Sequence, residues 1–181
     1  MLNNEIETKF KPTLFNGLGL AQGRFNATTP INLSINTVDR GTGQDERVGN
    51  AHTMTGYYGK LFLTNDRATA GSNLMRMIIY MPKNSNANLS TLNPGFYAPL
   101  DKDQFTILQD KYITLGSSFN ANDNQPTVKH FDIKRKLYNR VEYSGSASTS
   151  VQKGAIYIYM VNNTNDEVVV NGYIYGYYKD A

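Results

Sequence analysis

The chain has 181 residues, a net charge of +3 and no cysteine; it is long enough for one self-sufficient core, and disulfides, thiolate metal sites and cysteine nucleophiles are excluded. Met1-Leu-Asn-Asn-Glu5 carries no cationic stretch leading into an apolar one, and the longest apolar run, Ala155 to Val161, is too short to cross a bilayer, so a non-secreted chain without membrane insertion is expected.

Eight short runs rich in Tyr, Ile, Val, Leu and Met follow one another, separated by Gly, Asn, Ser and Pro, with no helix-length amphipathic segment between them. The first strand is expected over Glu5 to Lys11, where Ile6 and Phe10 alternate with charged neighbours, and Pro12, Gly17, Gly19 and Gly23 then predict a long irregular loop. Ile31 to Ile35 alternates apolar and polar with period two. Val38 to Asn50, with three glycines and five charged residues, reads as an exposed loop, and a third strand covers Thr53 to Thr64.

The fourth strand, Asn73 to Met81, places Met75, Met77, Ile79 and Met81 on one face and Leu74, Arg76, Ile78 and Tyr80 on the other, so both faces are expected to be covered. Pro82 to Lys102 predicts a long connection between sheets. The fifth strand, Phe105 to Leu115, loses its alternation at Gln109-Asp110-Lys111, where a bulge or an edge exposed to a partner is expected. After the polar loop Ser117 to Pro126, strand six spans Thr127 to Leu137; Ala155 to Asn162 and Val168 to Lys179 close the chain, joined by the hairpin-like Asn163-Thr-Asn-Asp166. Eight half-buried strands need two opposed sheets, and the uneven loops favour an all-β, eight-stranded single jelly roll, one domain over residues 1–181.

The sequence has no Gly-x-Ser-x-Gly elbow, and its only histidines, His52 and His130, are far apart; no catalytic residue, metal site or cofactor is expected. Asp101 with Asp103, and Asp39 with Asp45 and Glu46, read either as calcium ligands at a subunit contact or as solvated loop acids. Asn26, Asn32, Asn88 and Asn162 open Asn-x-Ser/Thr triplets, which an asparagine-rich chain produces by chance.

Two excesses bear on function. Lys129, Lys134, Arg135, Lys136 and Arg140 stand against a single acid, Asp132; such a stretch neutralises phosphates or forms a hydrated surface. Tyr157, Tyr159, Tyr173, Tyr175 and Tyr177 occupy every second position of the last two strands; such rings stack on bases, line a sugar groove or bury against other subunits.

Val38 to Asn50, Phe105 to Tyr112, Lys129 to Tyr143, Lys153 to Tyr159 and the closing Gly176 to Asp180 resemble, in order, segments of the single-jelly-roll capsid proteins of small circular Rep-encoding single-stranded DNA viruses, and more distantly satellite plant virus coats. Gln44, Arg47, Gly49, Asp110, Lys111, Lys153 and Gly154 match motif positions of that family. The resemblance implies an icosahedral shell of identical subunits, on the order of 60 copies, located in the virion, with passage through the host nucleus as a further implication. It implies non-specific phosphate contacts from Lys9, Lys11, Lys129, Lys134, Arg135, Lys136 and Arg140 to single-stranded nucleic acid, and subunit contacts from Asp110, Lys111 and the five tyrosines. Such coats carry an arginine-rich arm before the first strand; here that arm is expected to be absent or truncated. A carbohydrate-binding jelly roll using the tyrosine face is the alternative, weakened by the lack of tryptophan.

Overall fold

A computed structural model describes residues 8–16, 23–65, 72–84, 89, 96–116 and 128–180. Its strands are β1 (Lys9–Phe15), β2 (Arg24–Phe25), β3 (Ile31–Ser34), β4 (Ala51–Asn65), β5 (Asn73–Pro82), β6 (Phe105–Leu115), β7 (Lys129–Tyr143), β8 (Val151–Lys153), β9 (Tyr157–Asn162) and β10 (Val168–Asp180). Residues 5–7 of the expected first strand, the glycines at 17 and 19 and the loop 117–127 lie outside the described residues.

One sheet runs β1-β10-β4-β7-β8, with β2 on β10, and the other runs β3-β9-β5-β6. All pairings are antiparallel: β1 with β10, β3 with β9, β4 with β7 and β5 with β6 form nested pairs from the outside of the chain inward. The chain is thus one long double ribbon closed at β5 and β6. It is rolled so that β10 also meets β4 and β9 also meets β5. This is the strand order of a jelly roll, and the fold class read from the sequence holds.

The core fills the space between the sheets. Leu61, Leu63, Met75, Met77, Ile79, Ile133, Ile158 and Ile174 are among its buried members, each removal from water contributing about 1.5–3 kcal/mol. A second cluster lies on the outer side of the β3-β9-β5-β6 sheet, where Leu89, Phe96 and Phe105 cover Ile78, Tyr80, Tyr159 and Val161. Both faces of β5 are therefore buried, as its two apolar stripes predict.

Several boundaries differ from the sequence reading. Strand β1 runs through Pro12, which sits at a sheet edge opposite Tyr175 and needs no N–H on its free side. Strand β7 continues beyond Leu137 to Tyr143. Asn163 to Asp166 joins no hairpin, because β9 and β10 belong to opposite sheets. Its asparagine-rich chemistry serves a crossing instead, with the Asn162 side chain donating to Thr164 Oγ1 and the Asp166 carbonyl.

Strand β4 carries an irregularity that shapes its outer face. His52 and Met54 are buried below it and Tyr57, Gly59, Leu61 and Leu63 above it, so the buried phase switches from even to odd. The register slips there toward both neighbours: Tyr177 and Tyr178 pair with Gly56 and Met54, while Gly56 and Met54 pair with Lys136 and Asn139. Toward β10 Thr55 is the extra residue of a bulge, and toward β7 the extra residue lies on β7, between Lys136 and Asn139; such irregularities re-aim the side chains around them.

Candidate functional site

The outer face of the β1-β10-β4-β7 sheet is read from its register. One cross-strand row is Phe10, Tyr177, Gly56 and Lys136; the next is Pro12, Tyr175, Tyr58 and Lys134; the third is Leu14, Tyr173, Lys60 and Asp132. Aromatic rings from the β10 side therefore meet ammonium groups from the β7 side. Phe10 stands edge-on to Tyr175, and Tyr173 leans on Tyr175 at 4.9 Å between centroids. Tyr58, with Asp132 and Tyr173 behind it, pushes the Lys60 pKa up and keeps that ammonium charged.

At the bulge the row has no side chain on β4, because its residue is Gly56. The result is a groove of about 640 Å³ lined by Gly56, Tyr58, Lys134, Lys136 and Tyr177, among others. A Cβ at Gly56 would come within 2.6 Å of the Arg135 carbonyl oxygen. No larger residue fits there without moving β7.

The cations singled out from the sequence do not form one set. Lys134 and Lys136 are exposed on this face, and Lys129 is exposed near the start of β7. Arg135 donates to the Leu108 carbonyl on β6, tying the two sheets, and Arg140 pairs with Glu142 at 2.9 Å. Lys9 and Lys11 alternate with Phe10 and Pro12 and so belong to the opposite face of β1. Lys9 is buried, paired with Asp180 at 2.9 Å and donating to the Glu46 carbonyl, which leaves its ammonium committed within the chain. Strand β8 pairs only with Glu142 and Tyr143 of β7, so Lys134 and Lys136 lie where β7 is the sheet's open edge and discourage strand addition there.

The five alternating tyrosines likewise divide. Tyr173, Tyr175 and Tyr177 lie on the outer face just described, whereas Tyr157 and Tyr159 belong to the other sheet. Tyr159 is fully buried in the second cluster and presents no surface to a neighbour; Tyr157 is half-buried and stacks on Tyr80 at 5.5 Å. Asp110 and Lys111 sit on β6, the edge of its sheet, next to a register shift that leaves Leu108 unpaired. A bulge lies one residue before the expected Gln109-Asp110-Lys111, and β6 is an edge strand of its sheet. Asp110 accepts two bonds from the buried Arg76 guanidinium, at 2.9 and 2.7 Å, and Lys111 lies 4.8 Å over the Phe131 ring. Tyr97 and Tyr112 flank Phe96 and are 73% and 49% exposed, an aromatic patch on the far side of the molecule that the sequence did not single out.

Of the motif residues, Arg47 and Gly154 are internal fastenings, whereas Gln44 and Lys153 are exposed. Arg47 is fully buried, donating from Nε to the Val38 carbonyl at 3.1 Å and from its terminal nitrogens to the carbonyls of Gly49, Gly145 and Ser146, with its guanidinium 3.7 Å from the Tyr143 ring centre. Gly154 has φ +81° and lies against the Arg140 carbonyl, a position for glycine. Glu46 accepts the Gly43 N–H, and Asp39 accepts the Ser148 N–H, which lowers the Asp39 pKa. Asp101 caps its own turn through Asp103 and Gln104. Among the described residues no group of three His, Asp or Glu side chains converges as for a metal ion, and no helix is long and apolar enough to cross a membrane.

No protein-family model and no curated protein matches the chain. Among solved structures it is similar to a chain of Desmodium yellow mottle tymovirus, at 12% identity and a TM-score of 0.39 over 98% of this chain and 90% of that one. It is also similar to a chain from the structure of infectious bursal disease virus, Gx strain, at 7% identity and a TM-score of 0.21 over 96% of this chain and 41% of that one. At such identities neither likeness bears on what this chain does, and the jelly-roll assignment stands on the strand order.

Proposed function

We propose that this chain is a shell-forming coat protein: one jelly-roll domain whose copies meet through their outer surfaces and enclose single-stranded nucleic acid, as the sequence resemblance implies. The observation that carries this reading is the two-sided chemistry of the sandwich. One outside presents exposed Lys134 and Lys136 beside a ladder of rings, suited to a polyanion. The other exposes Tyr97 and Tyr112 around an otherwise roofed sheet, suited to protein contact. In this reading Lys129, Lys134 and Lys136 are non-specific phosphate partners, with Arg140 at the margin and Lys9 and Lys11 outside the set, and the single-stranded DNA genome and the virion location follow from the resemblance. A glycan laid on the same rings is the second reading, and it leaves the two lysines without a role.

Replacing Lys134 and Lys136 together by glutamine tests the phosphate assignment. Particles of the variant should carry clearly less nuclease-protected nucleic acid per protein than the parent, and release it at lower salt. Equal content and equal salt release would remove these lysines from the interface.

A further inference from the structure

The groove over Gly56 has a shape that phosphate binding alone does not require. Tyr177 and Lys136 stand on either side of Gly56, one strand away in each direction, so their backbones are about 9.6 Å apart. Tyr58 closes the slot along β4, and its lining is mainly apolar despite the two lysines. The slot is bounded by register shifts on both flanks, with the extra residue on β4 at Thr55 toward β10 and on β7 between Lys136 and Asn139 toward β7, and Gly56 has no space for a side chain. Along β10, alternate tyrosines recur at about 6.7 Å, a step that an extended single strand can follow.

We propose that this slot is a nucleobase site: one unpaired base of a single strand inserts over Gly56 and stacks on Tyr177, while the adjoining phosphates rest on Lys134 and Lys136. The inference rests on the nucleic-acid reading above and adds to it a requirement for the base itself. Charge decides the occupant. The rim carries Lys60, Lys134 and Lys136 against Asp132 alone on the three rows, so a second copy placed face to face would set ammonium against ammonium, whereas a polyanion complements it. Binding by stacking is tolerant of base identity, because every base has a π-face.

The test uses the full chain, at dilutions where it sediments as single subunits, with two fluorescent probes of equal length and charge: an oligothymidylate and an abasic strand. The oligothymidylate should bind about five-fold or more tighter. Tyr177→Leu should abolish that preference while leaving abasic binding unchanged, and Tyr177→Phe should retain it. Lys134→Gln with Lys136→Gln should weaken both probes and reduce the salt slope by about 1.4. Equal binding of the two probes by the parent would overturn the base site and leave the phosphate reading standing. Failure of the folded parent to bind either probe would overturn both. Should Tyr177→Leu instead block particle formation with base preference intact, the groove is a subunit contact and the proposal falls.

Discussion

Arg47→Ala is expected to destabilise the chain by about 3–5 kcal/mol. The side chain is wholly buried and its donors satisfy four main-chain carbonyls, those of Val38, Gly49, Gly145 and Ser146. Truncation leaves those acceptors without their donor, opens a cavity beside Tyr143 and leaves the loop 38–50 tied to the segment 144–148 by the Arg40 and Ser148 N–H bonds alone among the hydrogen bonds of the described residues. A domain of this size has about 5–15 kcal/mol in total, so the loss is a large part of what holds it folded. Arg47→Lys keeps the charge but not the planar fork, and should recover only part of the loss. Urea unfolding measures both; a change under about 1 kcal/mol for the alanine variant would show that the clamp does not hold the loops.

The second large effect is acid sensitivity at His52. Its ring is fully buried between Tyr143 and Tyr178, and Nε2 has no hydrogen-bond partner among the described residues. Burial first, then the Arg47 charge, lowers its pKa from 6.5 to about 4, with the Asn36 backbone and Asp180 opposing more weakly. The folded chain therefore keeps His52 neutral where the unfolded chain protonates it. Stability is at its full value above pH 6.5 and is lost as pH falls from there toward about 4, by roughly 3 kcal/mol. Denaturant unfolding at several pH values should show this slope in the parent and its loss in His52→Phe. The same slope in both proteins would mean that another group carries the acid response.

What the sequence made legible follows from locality. Strand β6 is legible end to end because aromatic and β-branched residues lie on both sides of the polar Gln109-Asp110-Lys111, and the covered faces of β5 are legible because one stripe is apolar throughout and only Arg76 interrupts the other. The sequence pattern of β7 ends at Leu137 because Tyr138, Asn139 and Arg140, of which Tyr138 and Arg140 are exposed, interrupt it where only partner pairing sustains a strand. Asn163 to Asp166 has the residues of a tight turn, yet whether a turn joins paired strands or crosses between layers is set by distant partners. For the same reason five alternating tyrosines looked like one face and proved to be two. The switch of buried phase between Met54 and Tyr57 was visible in principle, and would have exposed the bulge. The groove itself was not, because it arises from the register of three strands and the missing side chain of Gly56. Lys134 and Lys136 were legible as exposed cations; the committed state of Lys9 depends on Asp180, at the far end of the chain.

Sedimentation velocity of the purified full chain across protein concentration, salt and pH, with imaging of the fast fraction, bears most directly on the proposal that these jelly rolls build a container. Closed hollow particles of uniform size, on the order of 60 subunits each, are the expected result. A single species of one subunit under every condition, with nothing larger in the images, would contradict it.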